Sequence, residues 1–230
     1  MDDALHDLLK SVDTPTVCNA IEVAQGKRGF NAFTRGTMLA SDPDGVMVGY
    51  ARTARIRALA PPTEAPGVIK ARRMAYYKYM SEGARPSVCV VQDLDVPNAI
   101  GAYWGEVNTN IHKAFGLAGT LTDGVMRDLG DLADGYPVVA GSIGPSHGFV
   151  HVVDYDQPVR IHGLDIRPGD LVHADRHGAV VIPEDVVTGL AHAIATLMRS
   201  EKIVFDAVKG KRIGFKEFEA VWAAFEAART

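Results

Sequence analysis

Apolar residues in the first 25 positions recur at helical spacing and predict helices over residues 2–11 and 15–25. The second is entered through Thr14-Pro15-Thr16, where a threonine cap and a proline at the first helical position favour initiation. Glycines from Gly26 to Gly29 break the pattern. Between 46 and 58 the second half alternates apolar and polar residues, as a half-buried strand does, and the proline-rich stretch 61–66 is a loop. Residues 68–81 return to helical spacing. Residues 88–91 form a short, wholly apolar strand ending in Gln92-Asp93-Leu94-Asp95, a polar edge suited to a site-facing loop. After Gly105, Val107, Ile111, Ala114 and Phe115 mark the apolar face of a further helix, with Gly116 placed to end it. Thr120-Leu121-Thr122 predicts a strand turning at Asp123-Gly124, and 138–140 another. Glycine and proline turns divide 149–182 into several short strands, and helices resume near Glu184. No repeat or compositional step divides the chain. The expectation is one mixed α/β domain over residues 1–230 with helical termini, the C-terminal helices from about 184 to 230 packing on this core or on another subunit.

Composition narrows the function classes. The 230 residues carry a formal net charge of -4, which supplies no broad basic field for a polyanion, so nucleic acid is not the expected ligand. Cys18 and Cys89 lie far apart, Cys89 within an apolar run, and both are expected as buried core thiols. The opening Met1-Asp2-Asp3-Ala4-Leu5-His6-Asp7 is acidic rather than basic and apolar, and no segment is apolar over about 18 residues. A soluble cytoplasmic protein without a membrane partner is expected.

Chemistry concentrates in Gly101-Ala102-Tyr103-Trp104-Gly105-Glu106 and in Asp123-Gly124-Val125-Met126-Arg127-Asp128-Leu129-Gly130-Asp131. A helix entered through Gly105-Glu106 leaves its first amides unpaired, a cradle for a carboxylate or phosphate. Arg127 offers a planar fork for a carboxylate and an adjacent carbonyl oxygen, and Asp128 a hard oxygen ligand for Mg²⁺ or Mn²⁺. On residue types alone, a surface ion pair and a simple Asp-Gly turn account for the same residues.

Beyond these residues, the chain resembles the RraA-like family, which includes class II pyruvate aldolases cleaving 4-hydroxy-4-methyl-2-oxoglutarate and 4-carboxy-4-hydroxy-2-oxoadipate. The likeness runs from Thr14-x-x-Val17-x-x-Ala20 through Trp104-Gly105-Glu106, Asp123-Gly124-x-x-Arg127-Asp128 and Pro168-Gly169-Asp170. It continues to Ala174-Asp175-Arg176-His177-Gly178 and Val180-Val181-Ile182-Pro183. The aldolase pattern of an acid, twenty residues, Arg-Asp and a further acid is met by Glu106, Arg127-Asp128 and Asp131, with glutamate where those aldolases carry aspartate.

The resemblance implies a β/β/α sandwich like the swivelling phosphohistidine domains, assembled as a homotrimer or homohexamer. It implies that Asp128 ligates Mg²⁺ (or Mn²⁺ or Co²⁺), that Glu106 binds a metal-held water, and that Glu201 of a neighbouring subunit adds an acid. Arg127 would stabilise a pyruvate enolate, and Gly105 with the amides of Asn108, Thr109, Asn110 and Ile111 would hold its carboxylate. The implied reaction is cleavage of a 4-hydroxy-2-oxo acid to pyruvate, with oxaloacetate decarboxylation alongside. The family also contains a ribonuclease-binding regulator, and a different enolate-forming or hydrolytic enzyme on the same scaffold is the remaining alternative.

Other features point elsewhere. A Schiff-base aldolase needs a desolvated lysine, and the nearest, Lys113, occupies a polar helix position. His147 and His151, and His173 and His177, stand four apart but lack a close third ligand, so a structural or substrate-lining role is expected. Tyr103 and Trp104 suit either pocket or core. The glycines at 116, 119 and 124 match neither a Walker loop nor a dinucleotide fingerprint.

Overall fold

The computed structural model describes residues 1–229; Thr230, the last residue of the expected C-terminal segment, lies outside them. The chain runs α1 (Asp3–Lys10), α2 (Thr14–Gln25), β1 (Leu39–Ala40), β2 (Met47–Arg57), α3 (Pro66–Ser81), β3 (Ser87–Asp93), β4 (Ala102–Trp104), α4 (Glu106–Ala114), β5 (Leu117–Thr122) and β6 (Val125–Met126). It continues through β7 (Val138–Ala140), β8 (Ser142–Ile143), β9 (His151–Tyr155), β10 (Val159–Ile161), β11 (Leu164–Ile166), β12 (Leu171–Asp175), β13 (Gly178–Ile182), α5 (Val187–Val208) and α6 (Phe215–Arg229).

The main sheet has the order β1-β7-β5-β3-β2-β12-β13, with β9 also paired to β2. Its centre, β7-β5-β3-β2, is parallel, and β1, β12, β13 and β9 join antiparallel. Both faces of β3 are covered, which explains the unbroken apolar run the sequence carries there. A second, three-stranded parallel sheet, β4-β6-β8, is fed from the first: β5 passes into β6 at Asp123-Gly124, and β7 into β8 at Gly141. The amides of Gly141 and Ser142 both donate to the Gly124 carbonyl at 3.1 Å, tying the two crossings together. Arg127 therefore stands at the end of β6, beside the end of β4.

On one face, α1, α2 and α5 bury Leu9, Val17, Ile21, Leu190, Ile194 and Leu197 against Val48, Val180 and Ile182. α3 and α4 cover another layer built on Tyr76, Met80, Cys89, Val91, Trp104 and Met126. Removing this apolar area from water, at roughly 25 cal/mol per Å², is the main favourable contribution to the fold. No helix is long and apolar enough to cross a membrane, among the described residues.

The predicted helices and main strands are present, but α4 turns the other way. Val107 is 67% exposed, whereas Thr109 and His112 are wholly buried. The buried polar groups are matched: Thr109 Oγ1 accepts from the Ala133 amide at 3.1 Å, and His112 Nε2 lies 2.7 Å from the Tyr76 hydroxyl. Burial pushes the His112 pKa down to about 4. Both cysteines are free, Cys89 buried as expected and Cys18 half-buried.

Candidate active site

Arg127 extends the β4–β6 pairing by one residue, its amide donating to the Trp104 carbonyl at 2.8 Å. The chain then turns sharply. Asp128 has φ 54°, a left-handed conformation that an L-residue other than glycine adopts at a cost of order 1 kcal/mol or more. The Asp131 amide closes the turn on the Asp128 carbonyl at 2.9 Å. This turn brings Asp128 Oδ2 to 3.2 Å from the Glu106 amide and 3.4 Å from Arg127 Nε. A carboxylate from another element thus caps α4, whose own N-cap residue, Gly105, has no side chain to do so. A Cβ on Gly105 would stand 2.5 Å from Asp128 Oδ2 and 2.8 Å from Arg127 Nε, so a larger residue there would displace these two side chains.

The structure brings Glu106, Arg127, Asp128 and Gly105 together across 22 residues of sequence. The Glu106 side chain is exposed at the first turn of α4. The first helical bond runs from the Thr109 amide to the Gly105 carbonyl at 3.0 Å, so the uncommitted amides at this end are those of Val107 and Asn108. This corrects the expected cradle from Asn108 to Ile111. Thr109 spends its amide on that bond and its hydroxyl on the Gly105 and Glu106 carbonyls, while Asn110 and Ile111 lie a turn inside the ladder.

A cleft of about 250 Å³ opens beside Arg127, lined also by Gly105, Val107, Asn108 and Tyr103 and, across it, by Arg73, Tyr77, His147 and His151. Asn108 is held by two side-chain bonds, donating to the Tyr103 carbonyl at 2.6 Å and accepting from the Tyr77 hydroxyl at 2.8 Å. Arg127 is about one-third exposed, and its buried Nε has no hydrogen-bond partner. Its contact with Asp128 is a long ion pair rather than a hydrogen bond, so the guanidinium of Arg127, which lines the cleft, keeps donor capacity for an anionic ligand. A larger cavity, about 850 Å³ between α2, α5 and α6, contains none of these residues.

Behind the cleft, the ends of β3 and β5 are joined by two acids. Asp123 Oδ1 accepts from the Asp93 amide at 2.7 Å, and burial pushes the Asp123 pKa up to about 7 and that of Asp93 upward as well. Asp123 therefore does more than form a turn: it holds the crossing from which Arg127 is reached.

The donor set bears on the expected metal. Among the described residues no group of three or more His, Cys, Asp or Glu side chains is placed to hold an ion. That composition does not fit Zn²⁺, which takes three or four close protein ligands. Asp128, with Glu106 nearby, fits Mg²⁺ or Mn²⁺, which keep several waters and need only one or two carboxylates. Glu201 sits half-buried on α5, does not line the cleft, and is not brought to Asp128 within this chain. Lys113 is exposed, its ammonium donating to the Asp134 carbonyl at 2.6 Å.

The histidine pairs part company. His147 and His151 both line the cleft, whereas His173 is wholly buried under α1 and α2 and His177 bonds Asp175 at the β12–β13 turn. Arg73 and Tyr77, which also line the cleft, carried no signal in the sequence, since a mid-helix arginine and tyrosine on α3 look like any solvated face.

The Aldolase/RraA family model, described as RraA-like, matches residues 14–181. The chain belongs to the RraA-like family. It is 30% identical over 131 residues to a protein of Halalkalibacterium halodurans named "Putative 4-hydroxy-4-methyl-2-oxoglutarate aldolase", covering 54% of this chain and 59% of that one. It is 28% identical over 108 residues to protein DlpA of Legionella pneumophila, covering 46% of this chain and 18% of that one. The chain thus spans less than two thirds of the length of either relative. Among solved structures it resembles Streptomyces coelicolor RraAS2, described as an unusual member of the RNase ES inhibitor RraA protein family. There the TM-score is 0.66 at 25% identity, over 91% of this chain and 98% of that one. The mixed α/β architecture is that of the RraA-like fold.

Proposed function

We propose that this RraA-like chain is a divalent-metal-dependent lyase that cleaves a 4-hydroxy-2-oxo acid to pyruvate and also decarboxylates oxaloacetate. One observation carries this reading: Arg127, at the wall of a small cleft, and the strained Asp128 paired with it meet the N-terminus of α4.

In the proposed reaction the pyruvyl carboxylate accepts hydrogen bonds from the Val107 and Asn108 amides, and Arg127 faces the 2-oxo oxygen. The C4 hydroxyl passes its proton to water and becomes a carbonyl, the C3–C4 bond breaks, and its electron pair passes into the enolate of pyruvate. Negative charge then grows on the 2-oxo oxygen, where a preorganised guanidinium stabilises the transition state more than the ground state. Protonation at C3 releases pyruvate. A divalent cation held by Asp128, with Glu106 reaching it through water, would supply Lewis acidity at the 2-oxo group. A trimer or hexamer, with Glu201 contributed by a neighbour, belongs to the same proposal.

The test is pyruvate release from 4-hydroxy-2-oxo acids and oxaloacetate with Mg²⁺, with EDTA, and in Asp128→Asn. We expect release that EDTA abolishes, Mg²⁺ restores and the variant lacks. Full activity in EDTA would sink the metal-dependent reading. The likeness to RraAS2 favours a second reading, a ribonuclease-binding regulator. Absence of release from every substrate, with ribonuclease binding unchanged in Asp128→Asn, would select it.

A further inference from the structure

We infer that His147 is the general acid–base of the reaction: through one water it takes the proton of the C4 hydroxyl, and it returns that proton to C3 of the enolate. The inference rests on the lyase reading and names the group that finally holds the proton.

His147 stands in a turn fastened to the strand that floors the cleft. The Ala102 amide, at the start of β4, donates to the Ser146 carbonyl at 2.9 Å, and the Phe149 amide donates to the Ala58 carbonyl at 3.0 Å. The Val150 amide closes the turn on the His147 carbonyl at 3.1 Å. Two glycines permit this approach. A Cβ on Gly101 would stand 2.6 Å from the His147 carbonyl oxygen, and Gly148 takes φ 52°, where a Cβ would stand 2.9 Å from the Ala58 carbonyl oxygen. Ala102, Tyr103 and Gly105 all line the cleft. Three residue steps of about 3.3 Å along this strand put the His147 turn and the α4 end about 10 Å apart. A pyruvyl unit bound at the α4 end therefore points C3 and C4 towards His147, with room for one water between.

The turn also sets the tautomer. His147 Nδ1 lies 2.7 Å from the Gly148 carbonyl. A carbonyl only accepts, so Nδ1 carries the proton and Nε2 presents a lone pair, with no hydrogen bond among the described residues. Of the side chains lining the cleft, only the imidazoles can both take and release a proton near neutral pH. Arg73 and Arg127 stay protonated, and the Tyr77 hydroxyl donates to Asn108 at 2.8 Å. His151 is shared with a neighbouring hollow, where it borders the Arg72–Glu64 and Arg57–Asp95 ion pairs. His147 borders the cleft alone.

The hydroxyl O–H bond breaks, its electron pair becomes the second C–O bond of the departing carbonyl product, and the proton passes through water to Nε2. The C3–C4 pair enters the enolate. The imidazolium N–H bond then breaks towards C3, the enolate pair forms the new C–H bond, and the ring is neutral again. One imidazole serves both halves, since the proton taken is the proton given back, and no oxidant or further reactant is consumed.

The experiment follows two signals in wild type, His147→Ala and His147→Gln with Mg²⁺. One is pyruvate release from 4-hydroxy-4-methyl-2-oxoglutarate; the other is exchange of the pyruvate methyl protons with D₂O, read by NMR, which runs the enolate step alone. Both variants should lose about 10²–10³ in kcat and in exchange, with KM within about threefold. Glutamine keeps a polar side chain on the turn but cannot carry the proton. Added imidazole should raise both rates of His147→Ala by about tenfold or more and leave wild type unchanged, which a merely structural histidine would not allow. Wild-type rates in either variant, or a loss in His147→Ala that imidazole does not relieve, would overturn the inference. Exchange without release in wild type would sink the lyase reading alone, and a rescuable loss of that exchange in His147→Ala would still uphold the imidazole. Neither signal in wild type would overturn both.

Discussion

The joint between the N-terminal helices and the β12–β13 hairpin, and the turn that follows β6, each place an acid beside a basic residue. Their polar atoms are used differently. At the joint, His173 Nε2 faces the carbonyls of Leu9 and Val12 at 3.0 and 3.2 Å, and so donates, while its Nδ1 lies 2.9 Å from the Thr14 hydroxyl, and so accepts. Asp175 accepts from the Thr14 amide at 2.9 Å and from the His177 amide at 2.8 Å. Every donor and acceptor named here is matched inside the chain, and burial lowers the His173 pKa, which favours its neutral ring. At the turn, Arg127 Nε is buried with no hydrogen bond and only a long 3.4 Å ion contact to Asp128, Asp128 is held in left-handed backbone, and a Cβ at position 105 would crowd both side chains. A satisfied network fastens elements together; unsatisfied groups held in a strained turn are positioned for something that is not part of the chain.

The comparison breaks first, and with the largest effect, at Asp128. Asparagine tolerates left-handed backbone and keeps an acceptor for the Glu106 amide, so Asp128→Asn should cut pyruvate release by about 10²–10³. Its melting temperature should stay within about 3 °C of wild type. A large loss of stability would make the turn a second structural joint.

Gly105→Ala should lower turnover by about 10² at near-native stability, because the added Cβ displaces Asp128 and Arg127 rather than the core. Unchanged kinetics would mean that their spacing is unimportant.

His173→Ala should behave in the opposite sense. With the Thr14 hydroxyl and two buried carbonyls unpaired, urea unfolding should report a loss of about 3 kcal/mol, while kcat per folded molecule is retained.

A pH-dependent effect concerns Asp123. Its folded pKa, about 7, stands above the ordinary carboxylate value of 3.8, so the folded state holds a proton that the unfolded state has released in this window. Its contribution is full below the unfolded value and is lost as pH rises towards about 7. Asp123→Asn keeps the acceptor for Asp93 and removes that loss. Between about pH 4 and about pH 8 the variant should gain up to about 4 kcal/mol of stability relative to wild type in denaturant titrations, the sharper measure being the difference in slope. A parallel pH dependence in both proteins would remove Asp123 from the account.

Much of this was legible from residue order. The 3.6-residue spacing located α1, α2 and α3, the apolar run located β3, and of the Gly105-Glu106 and Arg127-Asp128 motifs, Gly105 and Arg127 line the cleft. The orientation of α4 was not legible, because Thr109 and His112 look like surface residues until Ala133 and Tyr76 are seen to satisfy them. Nor was the short sheet β4-β6-β8, whose two- and three-residue strands have no period to detect.

The sequence by itself determined the local elements and which residue types could carry chemistry, because helical period, capping residues and charge are properties of neighbours along the chain. Only the tertiary structure decided which of those residues meet. Arg73 and Tyr77 on α3 face Arg127 across one cleft, and the two histidine pairs go to opposite fates. The physical reason is that proximity across 20 to 70 residues is set by how the sheets and helices pack, and hydrogen-bond satisfaction is settled only after that packing is complete.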